Sequence, residues 1–210
     1  MGMITKRLSE LLKDAGKSAE YRYKGKDCLV TGITDDTRKV REGNVFICVK
    51  GARFDGHDAA KDMLDKGAAA VVCERDLGLG AKQIIVSDSK KFYGLMVAKW
   101  FGHPENELIL VGITGTNGKT TMATMIHHII TCAGGKAGLI GTAGTLCGNE
   151  PLERDDSTPT TPKVSELYEI FRTMADKGCK YCVMEVSSFA LEQNRIGPAV
   201  YTCAVFTNLT

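Results

Sequence analysis

Glycine, lysine and threonine fall together in Gly115-Thr116-Asn117-Gly118-Lys119-Thr120-Thr121, between the apolar run "ELILVGIT" (107–114) and a helical pattern that begins at Thr120. Residues of these types in this order can bind a phosphate. Successive backbone N–H groups can converge on one anion, and the start of a helix favours negative charge. Gly115 and Gly118 permit backbone angles and a close approach that a side chain would block. Lys119 can neutralise β- and γ-phosphates, and the Thr120 hydroxyl can bind Mg²⁺. The usual form has four residues between its two glycines; here Ile113 stands at the first glycine's place, so the match is to a shortened loop. Taken alone, such a loop fits a kinase, an ATPase or a ligase.

The elements that must position the loop follow from periodicity. Ile4, Leu8, Leu11 and Leu12 recur at helical spacing and Gly16 closes that helix. "DCLVTGI" (27–33) and "GNVFICVKG" (43–51) read as strands, the second nearly all apolar and therefore buried. A helix is expected from His57 to Lys66, then strands at 68–74 and 83–88, then a helix carrying Phe92, Leu95, Met96, Lys99 and Trp100. "GHPEN" (102–106) terminates it and serves as the linker. Beyond it the rhythm is strand–helix alternation: 107–114, a helix from Thr120 to Ala133, strands at 136–142, 181–186 and 201–208, and a helix with the stripe Val164, Leu167, Phe171, Met174 and Ala175. Thr161 is placed to N-cap that last helix with Pro162 at its first position, and 143–161 reads as irregular. The fold class is α/β: a small α/β domain (1–103) followed by a shortened, mostly parallel phosphate-loop domain (107–210) with right-handed crossovers.

Composition narrows the function classes. A formal net charge of +2, with Lys and Arg dispersed, gives no electrostatic footprint for nucleic acid. The apolar runs are strand-sized, so no membrane span is expected, and the N-terminus has neither signal-peptide nor myristoylation character. Of the eight cysteines, only Cys179 and Cys182 form a C-x-x-C pair; with no second pair they read as free thiols in a reducing cytoplasm rather than a zinc site. His127 and His128, on the helix after the loop, read as structural or exposed.

Several stretches in order along the chain resemble the Mur ligases, ATP-dependent enzymes that build the peptide of bacterial cell-wall precursors. "GTNGKTT" has the form of their phosphate loop. "DDTRKVREGNVFICVKGARFDGHDAA" (35–60) resembles the uridine-binding segment of their first domain. "TPTTP" (158–162), "MEVSSFALEQNRI" (184–196) and "VFTNLT" (205–210) resemble central-domain motifs. The Thr-Thr-Pro and Glu-Val-Ser-Ser pair resembles the MurE type in particular. The resemblance covers nearly the whole chain and implies a uridine-nucleotide domain at 1–103 and part of an ATP-binding domain at 107–210.

Residue by residue, the resemblance implies that Thr37, at the serine of a D-S-R motif, hydrogen-bonds the uridine, with Asp35 nearby. Ala52, Arg53 and Phe54 fall where the nucleotide is contacted; Phe54 could stack on uracil or simply pack. Thr160, Thr161, Ser187, Gln193 and Arg195 would hold the muramoyl-dipeptide, Arg195 by its planar fork on carboxylates and diphosphate. Glu185, ending an apolar strand, would bind a second Mg²⁺, the plainer alternative being a solvated carboxylate. Phe189 stands where many relatives have His.

The implied reaction joins an amino acid, meso-diaminopimelate or L-lysine, to UDP-N-acetylmuramoyl-L-alanyl-D-glutamate. The carboxylate would be activated by ATP as an acyl phosphate, with Lys119 and two Mg²⁺ offsetting charge. Relatives continue into a metal-bridging lysine and a third, amino-acid-binding domain absent from these 210 residues. The chain is therefore expected to be a shortened, monomeric, cytoplasmic form without turnover of its own. The alternatives are the sister ligase that adds D-Ala-D-Ala, a nucleotide-binding module without catalysis, and a plain phosphate-loop ATPase or kinase.

Overall fold

The structure, a computed structural model, describes residues 4–51, 54–153 and 160–209. The chain divides into two compact units, Met1–Trp100 and Phe101–Thr210.

The first unit contains β1 (Lys6–Arg7), α1 (Leu8–Ala15), β2 (Tyr21–Tyr23), β3 (Leu29–Val30), β4 (Gly32–Thr34), β5 (Asn44–Ile47), α2 (Ala60–Asp65), β6 (Ala70–Cys73), β7 (Gln83–Val86) and α3 (Ser89–Trp100). Among the described residues its main sheet runs β2-β7-β6-β5-β4, parallel except for the β2–β7 pair, and β1 pairs with β3 in a separate ribbon. β5 and β6 are buried at every position, as strands covered on both faces must be, and both are continuous apolar runs in sequence. Leu8, Leu11, Leu12 and Ala15 form the buried face of α1, which packs on α3, with a Lys99–Glu10 ion pair at 3.5 Å at its margin.

The second unit contains β8 (Ile109–Thr114), α4 (Lys119–Cys132), β9 (Ala137–Gly141), β10 (Gly144–Cys147), β11 (Glu150–Pro151), α5 (Val164–Asp176), β12 (Tyr181–Glu185), α6 (Ser188–Glu192) and β13 (Cys203–Phe206). Its sheet, among the described residues, runs β11-β10-β9-β12-β8-β13. The four strands β9, β12, β8 and β13 are parallel, so their C-terminal ends lie along one edge. α4 carries the chain from β8 past one strand position to β9, and β12 later fills the gap. Such a change of direction opens a crevice at the strand ends. The stripe Val164, Leu167, Tyr168, Ile170, Phe171 and Met174 buries α5, and Arg172 ties it to Glu107 through two bonds of 2.7 and 3.0 Å.

Local structure departs from the sequence expectation at four places. α1 starts at Leu8 and not near Ile4, because Lys6 and Arg7 are drawn into the β1–β3 pairing. "DCLVTGI" is split into β3 and β4, which belong to different sheets. The stretch after Thr142 is not irregular throughout: β10 folds back antiparallel on β9 and pairs with β11. Thr161 does not cap α5, whose N-cap is Lys163 without a side-chain bond; the Thr161 hydroxyl is used elsewhere. All eight cysteines are free thiols. Burial pushes the Cys48 thiol up to about 12 and the Cys179 thiol up to about 11, which keeps both protonated and unreactive. No helix among the described residues is long and apolar enough to cross a membrane.

Candidate functional site

The ends of the four parallel strands bring together most of the residues singled out in the second unit. After β8 the chain turns through Gly115, at φ +133°, and Gly118, at φ +82°, into α4. The first intrahelical bond runs from the Met122 N–H to the Gly118 carbonyl, so the N–H groups of Lys119, Thr120 and Thr121 precede the helical ladder. They open the helix as a set of donors on the positive end of its dipole. Thr116, Asn117, Gly118 and Thr121 are exposed, and Lys119 and Thr120 half-buried. The Lys119 ammonium lies across the loop, donating to the carbonyls of Gly115 at 2.7 Å and Thr116 at 3.1 Å. That places its charge over the cradle.

Glu185, the last residue of β12, is only 1% exposed. It is not a solvated carboxylate. One oxygen, Oε1, accepts from the Thr142 N–H at 2.8 Å; the other, Oε2, accepts from the hydroxyls of Thr120 at 3.0 Å and Thr142 at 3.3 Å. Gly141 makes this possible, since a Cβ there would collide with Oε1 of Glu185. These donors are all neutral. A buried carboxylate without a cation retains an unfavourable charge, so the pocket suits a bound positive ion. Among the described residues no group of three His, Cys, Asp or Glu could cage a metal. One carboxylate and one hydroxyl at 3.0 Å, both hard oxygen donors, instead fit Mg²⁺ that completes its shell with water and phosphate oxygens.

Thr161 joins the next layer. Its hydroxyl donates to the Glu185 carbonyl at 3.0 Å and accepts from the Ser187 N–H at 3.1 Å, while its carbonyl accepts from Arg195 Nη1 at 3.1 Å. Thr160 reaches Thr142 at 3.0 Å between hydroxyls. Ser187 caps α6, its side chain accepting from the Ala190 N–H, and Gln193 is the C-cap of that helix. Phe189 has a role that sequence did not supply: the Arg195 guanidinium lies 5.1 Å from its ring centroid, a cation–π contact that helps fix the fork. His127 is buried and structural, its Nε2 3.1 Å from the carbonyls of Ala137 and Gly148, whereas His128 is exposed.

In the first unit, Asp35 and Thr37 are half-buried on the turn after β4. The neighbouring Asp36 braces that turn, accepting from the Arg38 backbone and guanidinium at 2.7 to 3.0 Å. Phe54 is 54% exposed and so is no core residue. Ala52 and Arg53 lie outside the described residues, as do Thr158 and Pro159 of the "TPTTP" motif.

His57 pins the segment after Phe54. Its Nδ1 lies 2.6 Å from Asp55 Oδ1 and its Nε2 accepts the Glu74 N–H at 3.0 Å, which defines the Nδ1–H tautomer. Bonds from the His57 backbone N–H, and then from its ring, hold the Asp55 carboxyl below its usual range. Since His57 is 4% exposed, His57→Phe is expected to keep the volume, lose both bonds and destabilise the unit by about 1–3 kcal/mol. Urea unfolding reads this, and an unchanged midpoint would remove the pin from the description.

Sequence reasoning assigned no role to Thr142 or Asp36. The only sequence signal for Thr142 was its place directly after an apolar strand ending in glycine.

Comparison with known proteins sets these features in a family. The Mur ligase middle domain matches residues 113–210, and the Mur ligase family catalytic domain matches residues 29–98. The UDP-N-acetylmuramoyl-L-alanyl-D-glutamate--2,6-diaminopimelate ligase of Clostridium perfringens (strain 13 / Type A) is 40% identical over 204 residues, covering 95% of this chain and 42% of that protein. The ligase of the same name from Clostridium botulinum (strain ATCC 19397 / Type A) is 42% identical over 200 residues, covering 92% of this chain and 41% of that protein. A solved structure of a UDP-N-acetylmuramoyl-L-alanyl-D-glutamate--2,6-diaminopimelate ligase is 27% identical with a TM-score of 0.73, over 86% of this chain and 37% of that one. MurF from Acinetobacter baumannii, 19% identical with a TM-score of 0.55 over 90% of this chain and 37% of that one, shares the fold. The chain thus spans 41% to 42% of the length of these two curated relatives. With two Mur ligase domains matched in order over residues 29–98 and 113–210, the chain belongs to the Mur ligase family.

Proposed function

We propose that the protein is an ATP-dependent amide ligase of the MurE type, adding an amino acid to UDP-N-acetylmuramoyl-L-alanyl-D-glutamate. The observation that carries this reading is the identity of 40% to 42% with diaminopimelate-adding ligases over nearly the whole chain. We extend the amino acid in those relatives' names, 2,6-diaminopimelate, to this protein.

Each residue then has a task. The N–H groups that open α4 and the Lys119 ammonium hold the β- and γ-phosphates of ATP. Thr120 and Glu185, 3.0 Å apart, hold Mg²⁺, which when bound would supply positive charge against the transferring phosphoryl group. Arg195, fixed by the Thr161 carbonyl and the Phe189 ring, orients the carboxylates of the peptide with Thr160, Ser187 and Gln193. Thr37, Asp35 and Phe54, with Ala52 and Arg53, take the uridine end.

The test is ADP release by the full-length protein. Release should require the dipeptide precursor and diaminopimelate together. Release driven instead by D-Ala-D-Ala with a tripeptide precursor would move the protein to the sister type, and release supported by L-lysine would correct the amino acid alone.

A further inference from the structure

The phosphate loop is held from outside by residues 90 to 93 positions along the chain. The Asn208 carbonyl accepts the Thr116 N–H at 3.0 Å, and Asn208 Oδ1 accepts the Asn117 N–H at 3.0 Å. The Thr207 hydroxyl donates to the Asn117 carbonyl at 2.6 Å and lies 3.2 Å from the Thr114 carbonyl, while the Thr207 N–H donates to that same carbonyl at 2.9 Å. A Cβ on Gly115 would collide with the Thr207 hydroxyl and come within 3.0 Å of the Asn208 backbone. Gly115 therefore answers to this contact as well as to any ligand. Gly118 is different: its nearest non-neighbour would be the Thr207 Cβ at 3.9 Å, leaving that side of the loop open.

The loop is thus divided. In its leading half, Gly115 to Asn117, the N–H groups of Thr116 and Asn117 are engaged by Asn208. Its trailing half, Gly118 to Thr121, keeps the donors that open α4. We propose that Thr207 and Asn208 are positioning residues that clamp the leading half, so that the trailing donors converge on the phosphates without first being ordered. This rests on reading the loop as a phosphate site. A preordered loop loses less conformational freedom on binding, and that saving is expressed as affinity.

The experiment uses the 210-residue chain, with hydrogen exchange of the Thr116 and Asn117 amides and calorimetric titration with Mg-ATP. Asn208→Ala removes the Oδ1 acceptor and Thr207→Val the hydroxyl bond to the Asn117 carbonyl. In both, the Asn117 amide should exchange faster, the Thr116 amide on the Asn208 backbone carbonyl should change less, and the Mg-ATP dissociation constant should rise about tenfold. Thr207→Ser keeps the hydroxyl and should return both readouts to within about twofold of wild type. Thermal midpoints should stay close to wild type, since the bonds lie at a sheet edge. Unchanged exchange, or unchanged affinity despite faster exchange, would overturn the proposal. So would tighter binding by Asn208→Ala, which would make Asn208 a competitor for a cradle donor. Faster exchange in the variants of a chain that binds no Mg-ATP at all would overturn the phosphate reading and this purpose with it, while leaving the clamp visible by exchange.

Discussion

Lys119→Met should cost about a hundredfold in Mg-ATP affinity. The ammonium is the formal positive charge carried by the loop itself, and the structure lays it across Gly115 and Thr116 through bonds of 2.7 and 3.1 Å. Charge-assisted hydrogen bonds are worth about 1.5–3 kcal/mol each, and the net loss of one near the upper end, about 2.7 kcal/mol, gives that factor. The fold should be indifferent, because both acceptors are carbonyls of a half-buried to exposed loop that water can reach. Calorimetric titration beside a thermal melt separates the two effects. A loss under threefold would mean that backbone donors alone carry the phosphates.

Glu185→Gln should instead raise stability while removing the metal dependence of ATP binding. The amide retains the shape and an oxygen for the Thr142 N–H, and the hydroxyls of Thr120 and Thr142 can rotate to accept from the new NH₂. What disappears is a carboxylate 1% exposed whose hydrogen-bond partners are all neutral. The variant should therefore unfold at higher denaturant, by about 1–2 kcal/mol, since an unpaired buried charge is removed. Its ATP binding should lose its dependence on Mg²⁺, whereas wild type should bind at least about tenfold more tightly with the ion than without. A variant that is destabilised and keeps the Mg²⁺ dependence would make Glu185 a structural hydrogen-bond hub and nothing more.

Much of this arrangement was legible in sequence because it is local. The phosphate loop announces itself through a strand, two glycines and a helix start within fourteen residues, 107–120. The buried strands β5 and β6 are unbroken apolar runs, and the α5 stripe repeats at helical spacing. What sequence reading lost depends on partners far along the chain. β10 is four residues with a glycine at its start, and only pairing with β9 makes it a strand. Thr161 has the residue type and spacing of an N-cap, yet its hydroxyl is better used inside, between the Glu185 carbonyl and the Ser187 N–H. Thr142 and Asn208 gain their roles because parallel strands end side by side, which no local pattern encodes. Sequence reading placed a metal ligand at Glu185 with a solvated carboxylate as the plainer alternative, and its burial, set by Thr120 of α4 and by Thr142, was not legible in the strand end alone.

The most direct measurement is a titration of the isotopically labelled 210-residue chain with UDP-N-acetylmuramoyl-L-alanyl-D-glutamate, with UDP-glucose as the control. The predicted result is saturable shifts at the amides of Thr37, Thr160, Thr161 and Arg195 that the precursor produces, with UDP-glucose reaching at most the uridine-end residue Thr37. A dispersed, folded spectrum that responds to Mg-ATP but is unmoved by the precursor would contradict the ligase reading and leave a nucleotide-binding protein of another specificity.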